Sequence, residues 1–332
     1  MRLLVTGGAG FIGSNFVLYW LDRYPDDHVV VYDLLTYAGN RPNLAAVEGR
    51  IVFVQADICD RESAERALRD EGVEVVVNFA AESHNSLAVV DPTRFFRTNV
   101  LGTQTLLDAS RAASVARFHH VSTCEVYGDL ALDSDEVFTE ESPYRPRTPY
   151  NASKAGADHA VRAYHETFGL PITITNCSNN YGAYQFPEKV IPLFTTHALD
   201  DEPLPLYASV GHKREWLHVL DHCSAIDLVL RDGTPGETYN VGSGFEATIE
   251  EIADLVLGLT GKPDSLKTIV PDRPGHDRRY LLDATKIRRE LGWAPQHSWH
   301  EGLAETVGWY AANRDWWEPL KGRAPVAETA WR

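Results

Sequence analysis

The sequence predicts an α/β fold: a Rossmann-type doubly wound parallel sheet joined to a smaller mixed α/β C-terminal substrate domain. Three observations lead there. A glycine turn, Gly7-Gly8-Ala9-Gly10-Phe11-Ile12-Gly13, stands between a short apolar run and an amphipathic stretch. Near-continuous apolar segments then alternate with helical patterns, the mark of parallel strands covered on both faces. Past Asn176 proline and glycine become frequent and the elements shorten. At 332 residues the chain can hold one large or two modest domains with ample core.

The first strand is Arg2-Leu3-Leu4-Val5-Thr6, and it feeds a helix over residues 14–24. A second strand, His28-Val29-Val30-Val31-Tyr32, ends at Asp33, 20 residues beyond Gly13. This spacing gives the turn a ligand. Glycines at Gly7, Gly10 and Gly13 let the backbone approach a pyrophosphate, the helix N-terminus supplies free N–H groups, and Asp33 can accept from a ribose 2′-hydroxyl. A glycine-rich turn with no ligand is the alternative, and the matching acid weighs against it. An acid there repels a 2′-phosphate, and Leu34-Leu35 offer no arginine to hold one, so NAD is expected over NADP. Strands follow at 51–55 before Asp57, at 74–79 before Ala80-Ala81, and at 117–122, with helical patterns at 61–71 and 99–113. Ligands in such sheets sit at the carboxyl ends of the strands, so Asp57, Ala80, Ala81, Ser122 and Thr123 should line one crevice. Residues 218–230 and 238–241 again resemble a helix and strand of the first unit. The expected division is therefore an NAD-binding domain over 1–176 and about 216–245, a substrate domain over 177–215 and 246–320, and a tail from 321 to 332.

Composition excludes several classes. A net charge of −16 would repel a phosphate backbone, so nucleic acid is not an expected partner, although a local basic pocket for one nucleotide is compatible. No run of 18 apolar residues lacks a charge, and the N-terminal apolar stretch is too short for a signal peptide, so a cytoplasmic protein without a membrane partner is expected. The four cysteines, Cys59, Cys124, Cys177 and Cys223, form no Cys-x-x-Cys pair, which supports neither a disulfide framework nor a metal site. Asn151-Ala152-Ser153 and Asn176-Cys177-Ser178 match the glycosylation sequon by chance on this reading.

Tyr150-Asn151-Ala152-Ser153-Lys154 opens a helical run, so tyrosine and lysine share one face at i and i+4. An ammonium beside a phenol lowers the phenol's pKa from about 10 toward neutrality, as a base for an alcohol requires. That chemistry suits hydride transfer.

At these residues the chain resembles an extended short-chain dehydrogenase/reductase. Thr36-Tyr37-Ala38-Gly39-Asn40, Ala80-Ala81-Glu82-Ser83-His84, Ser122-Thr123-x-Glu125-Val126-Tyr127-Gly128, Asn179-Asn180-Tyr181-Gly182, Phe186-Pro187-Glu188-Lys189, Arg214-Glu215-Trp216 and Arg273-Pro274-Gly275-His276-Asp277 resemble, more narrowly, the dTDP-glucose 4,6-dehydratases. The likeness runs from Arg2 to about Leu320. It implies a closed redox cycle on a dTDP-hexose. Tyr150 would take the 4-hydroxyl proton as hydride leaves C4 for NAD, Glu125 would remove the C5 proton as water leaves C6, and hydride would return to C6. Thr123 would hold the 4-oxygen and Lys154 also the nicotinamide ribose. The resemblance implies cofactor contacts at Gly7, Gly10, Phe11, Ile12, Gly13, Asp33, Thr36, Asp57, Ile58, Ala80, Ala81, Tyr150 and Lys154. For the substrate it implies Ser83, Asn179, Glu188, Lys189, Tyr207, Arg214, Asn240, Arg273 and His276, with Asn179, Lys189, Arg214, Arg273 and His276 at the diphosphate.

Two departures stand out. The family pattern has Asp-Glu where this chain has Cys124-Glu125, and that aspartate is the acid for the departing C6 oxygen. Cys124 is then either a buried inert thiol or a replacement acid, mostly protonated at pH 7 with a pKa of about 8.5. The pattern also has His-Val-Asp-Arg-Ser where this chain reads His84-Asn85-Ser86-Leu87-Ala88. A Cys-Glu pair further resembles sugar-nucleotide 5,6-dehydratases, which return hydride to C4 and leave an exocyclic enol ether. A 4-epimerase, a decarboxylase and a noncatalytic NAD-binding protein fit less well. The resemblance favours a homodimer through helices around 99–113 and 155–168.

Overall fold

The structure, a computed structural model, describes residues 1–272 and 274–323. Its first strands are β1 (Arg2–Thr6), β2 (His28–Asp33), β3 (Ile51–Gln55), β4 (Val75–Asn78), β5 (Arg117–Thr123) and β6 (Ile172–Cys177). Apparently continuous apolar runs resolve here into two faces, because successive side chains point to opposite sides of a sheet. Leu3, Val5, Val29 and Val31 face one core with Phe16, Val17 and Trp20 of the helix Phe11–Arg23. Leu4, Val30 and Val76 face the other, with Leu68 and the pair Leu106 and Leu107 from the helices beyond. Each such fully buried side chain is worth about 1.5–3 kcal/mol, which is why charge is absent from the strand centres.

The remaining strands are β7 (Asn179–Tyr181), β8 (Leu204–Tyr207), β9 (Lys213–His218), β10 (Thr238–Val241), β11 (Glu246–Thr248) and β12 (Lys267–Val270). The large sheet runs β10-β6-β5-β4-β1-β2-β3, and all its pairings are parallel. Beside it lie a three-stranded sheet, β11-β9-β7, and the pair β12-β8. Thus β10 returns to the edge of the large sheet, and the helix Val219–Asp232 adds Val219, Cys223, Ile226 and Leu230 to its first core. Trp216 to His218, assigned by sequence to the larger unit, pair with β7 in the small sheet instead. No helix among the described residues is long and apolar enough to cross a membrane.

The order reverses between β1 and β4, and a crevice opens at their carboxyl ends. The tie there is local: Thr6 Oγ1 donates to Asn78 Oδ1 at 2.6 Å and accepts the Ala80 N–H at 3.2 Å. A helix over Pro149–Phe168 flanks the crevice. Thr148 Oγ1 accepts the Asn151 N–H at 3.2 Å, Pro149 fills the first turn, and Gly169 closes the helix at φ +66°.

Candidate active site

A cavity of about 600 Å³ lies along the carboxyl ends of β1, β2, β4 and β5, roofed by the smaller sheets. One wall is the glycine turn. Gly7 sits at φ +64°, and a Cβ there would stand 2.7 Å from the Ala80 nitrogen; a Cβ on Gly13 would strike the Gly7 carbonyl. Gly10 precedes the helix Phe11–Arg23 with no side-chain cap, so first-turn N–H groups point at the cavity. Asp33 closes this end, its carboxylate accepting the Ala9 N–H at 2.9 Å and the Leu35 N–H at 2.8 Å. Thr36, Asp57, Ile58, Ala80 and Ala81 line the same stretch as Phe11 and Ile12. The wall thus fits a dinucleotide: a cradle that any side chain would fill, then an acid.

Thr123, Glu125, Tyr150 and Lys154 line the deep part of the cavity. Burial, then the Glu125 charge, holds the Tyr150 phenol well above its ordinary value, with Thr123 working the other way. Lys154 does not reverse this. Its Nζ donates to the Val121 carbonyl at 2.7 Å and meets His120 Nε2 at 3.4 Å, and burial lowers its own pKa. The spacing was expected to depress the phenol through this lysine; in the protein alone it stays high. Asn99 fixes the opposite rim, bonding both the N–H and the carbonyl of Glu82 and donating to Ser153 Oγ at 2.8 Å.

Polar side chains from distant segments converge at the outer end. Glu188 accepts from the Tyr37 hydroxyl at 2.9 Å and lies 3.4 Å from His84 Nε2. Lys189 Nζ reaches the Ser83 carbonyl at 3.0 Å and Glu188 at 3.6 Å. Asn179 accepts from the Tyr280 hydroxyl at 2.7 Å, and Arg214 lies over the Tyr280 ring. Tyr207 and His276 meet edge to face. The lysine and arginine give an acidic chain a local cationic end suited to a diphosphate.

The family model for GDP-mannose 4,6 dehydratase matches residues 4–306. The chain belongs to that family. Its relatives include the dTDP-glucose 4,6-dehydratase of Streptomyces niveus, 48% identical over 97% of this chain and 96% of the relative. Among solved structures, DesIV of Streptomyces venezuelae, a dTDP-glucose 4,6-dehydratase crystallised with NAD, is 53% identical, covers 96% of this chain and all of its own, and superposes with a TM-score of 0.93. A Thermus thermophilus UDP-glucose 4-epimerase in complex with NAD is more distant, at 34% identity over 94% of this chain and all of its own, with a TM-score of 0.87.

Within this dehydratase-family chain, two residues assigned by sequence are not in the cavity. Cys124 is fully buried among Val126, Tyr127, Leu130, Phe138 and Leu282, and burial drives its thiol well above the ordinary range. The cause is local: Cys124–Val126 form a tight helical turn after β5, and neighbours in such a turn diverge by about 120°. Thr123 and Glu125 therefore face the cavity while Cys124 faces the core. Asn240 is likewise sealed in β10, accepting from Tyr127 and donating to the Phe138 carbonyl, so it braces the wall rather than touching a ligand. Arg273 lies outside the described residues. Three cavity residues, Asn85, Asp277 and Tyr280, received no role from the sequence. Asn85 points its amide at Glu125 Oε2, 3.5 Å away; Asp277 closes the Arg273-to-Asp277 motif and Tyr280 follows it three residues on. Elsewhere His218, His297 and Glu305 bring ligand atoms within 4.8 Å of one another, but the two imidazoles stack at 3.9 Å, and a shared metal needs in-plane lone pairs that converge.

Proposed function

We propose that this chain is an NAD-dependent dTDP-glucose 4,6-dehydratase, releasing water and forming dTDP-4-keto-6-deoxyglucose. The observation that carries the reading is the meeting of Thr123, Glu125 and Tyr150 on a cavity whose other wall is the glycine turn and Asp33. Relatives of that activity at 46–53% identity over nearly the whole chain support it.

The glycine turn, Asp33 and Lys154 hold the dinucleotide. When bound there, NAD would supply the hydride acceptor for C4 and the hydride donor for C6. Tyr150 takes the 4-hydroxyl proton, for which burial against Glu125 makes it a strong base once ionised. Thr123 steadies the 4-oxygen with its hydroxyl. The 4-ketone acidifies C5, and Glu125 removes that proton as the C6 oxygen leaves. Lys189, Arg214 and His276 hold the diphosphate. The buried walls exclude bulk water between the redox steps.

Incubation with dTDP-glucose in deuterated water tests this. The 4,6-dehydratase product has lost one water, carries one deuterium at C5 and absorbs in alkali as a 4-ketosugar. An enol ether has no C5 hydrogen to exchange and lacks that absorbance, and its formation would replace the proposed reaction with 5,6-dehydration.

Homodimerisation is the assembly we favour. Phe96, Leu101 and Phe168 are 43%, 58% and 49% exposed on neighbouring helical segments, which gives an apolar face for a second copy. Light scattering of a Leu101→Glu variant should then report half the native mass. A reducing, cytoplasmic setting suits four free cysteines, three of them buried.

A further inference from the structure

Dehydration across C5 and C6 needs a group to take the C5 proton and another to give a proton to the departing C6 oxygen. Glu125 fills the first role in the reading above, on which this inference rests. The thiol beside it faces the core. The segment after Gly275 carries a second carboxyl, Asp277, which lines the cavity and is 3% exposed. Its backbone is fixed, the carbonyl accepting from Arg214 Nη2 at 2.5 Å. Its side chain is not spent on structure. Oδ2 receives one long bond, 3.4 Å from Asn151 Nδ2; Oδ1 accepts no hydrogen bond and lies 3.8 Å from Arg147 Nη1, which sits 2.7 Å from Asp129. A buried carboxyl oxygen without a donor is costly as an anion and well placed as an acid.

We propose that Asp277 is the proton donor to the C6 hydroxyl, acting with Glu125 as the base for C5.

The charged groups that face Asp277 are Glu125 and Asp129 on one side and Arg147 and Arg214 on the other, with the neutral Tyr280 and Cys124 nearby and His212 at its backbone. Burial first, then the Glu125 charge, pushes the carboxyl up to about 7 against the two arginines. A negative charge beside a buried carboxyl favours its protonated form, so Asp277 keeps its proton to a higher pH than an exposed aspartate does. In the elimination the C5–H electron pair becomes the C5–C6 double bond, the C6–O bond breaks, and the oxygen leaves with the Asp277 proton as water. Glu125 takes the C5 proton, exchanges it with solvent, and delivers a solvent-derived proton to C5 when hydride reaches C6. Tyr150 then carries one proton more and Asp277 one fewer, and exchange with solvent resets both.

The test uses the purified NAD-loaded enzyme and dTDP-glucose, comparing Asp277→Asn and Asp277→Glu with wild type by stopped-flow absorbance and quenched product analysis. In Asp277→Asn, reduced cofactor should form at the wild-type rate and accumulate, because elimination slows by about 10²–10⁴-fold. The wild-type loss of elimination rate as pH rises past about 7 should be absent in that variant, and Asp277→Glu should recover part of the rate. Elimination at a wild-type rate in Asp277→Asn overturns the proposal; so does a retained limb near pH 7, or an equal loss of C4 oxidation, which would make Asp277 a shaper of the cavity. Failure of the dehydratase reading looks different, since wild type itself would then form neither reduced cofactor nor a 4-ketosugar.

Discussion

Cys124→Ala separates a catalytic thiol from a packed one. The substitution removes a single sulfur from a cluster of Val126, Tyr127, Leu130, Phe138, Ala155, Tyr280 and Leu282, and leaves the backbone turn that carries Glu125 intact. Losing the transfer energy of one buried heavy atom, with a small cavity left behind, costs about 1–2 kcal/mol. For a chain of this length, at about 2 cal/mol/K of unfolding entropy per residue, the melting temperature should fall by about 1.5–3 °C. Turnover of dTDP-glucose should stay within about two-fold, because an atom outside the cavity offers the C6 oxygen no proton. Differential scanning calorimetry and a coupled product assay read the two effects. Were the thiol the acid, the alanine variant would instead show a fall of about 10²–10⁴-fold with reduced cofactor accumulating, and a burst of that kind would refute the placement of Cys124.

Other outcomes follow from the same geometry. Tyr150→Phe keeps the cavity shape but has no acceptor for the 4-hydroxyl proton, so dTDP-sugar binding should persist while absorbance of reduced cofactor fails to appear on mixing; oxidation of C4 at a comparable rate would require another base. Asp33→Ala loses the ribose acceptor and frees the Ala9 and Leu35 N–H groups, so NAD retention on desalting should weaken by about 10–100-fold, an effect that a preference for NADP would reverse. His222 is buried, bonded to Asn180 at 2.9 Å, and burial lowers its pKa to about 3. A depressed histidine contributes stability present above its unfolded value of about 6.5 and lost as pH falls toward 3. The loss of stability between pH 7.5 and 5 should therefore be about 2 kcal/mol smaller in His222→Gln than in wild type by urea melts, at 1.36 kcal/mol per pH unit; equal losses would mean that His222 titrates normally.

What could be read from the sequence was what is built locally. The glycine turn and Asp33 work over a stretch in which one strand, one turn and one helix determine each other, so spacing alone located them. Tyr150 and Lys154 share a helix face for the same reason. The charge state of the phenol was not legible, because it depends on Glu125 arriving from the turn after β5 and on the Val121 carbonyl capturing the lysine. Asn240 shows the opposite limit. Its residue type suits a ligand, yet its register beside Asn176 in β10 places the amide under Tyr127. Asp277 needed the convergence of a late loop with the turn after β5, a contact across some 150 residues that no local pattern encodes.

The two departures from the family pattern meet at one side chain. Reading Cys124-Glu125 as a catalytic pair assumed that neighbours share a face, whereas the turn after β5 sends one to the core and the other to the cavity. Glu125 therefore has no carboxyl beside it in the chain. On its other side stands Asn85, where the pattern has valine, with Nδ2 3.5 Å from Glu125 Oε2 and Oδ1 3.5 Å from the Thr148 hydroxyl that caps the catalytic helix. A carboxamide donor at that distance steadies a carboxylate without competing for its proton, since an amide does not titrate in this range. The losses and gains are thus spatially coupled: removing the adjacent acid and adding an amide leaves Glu125 oriented as a base, and leaves its proton economy to Asp277. Asn85→Val should then slow elimination more than C4 oxidation, because the Asn85 amide is placed on Glu125, the base for C5; an equal change in both rates would show that it shapes the cavity instead.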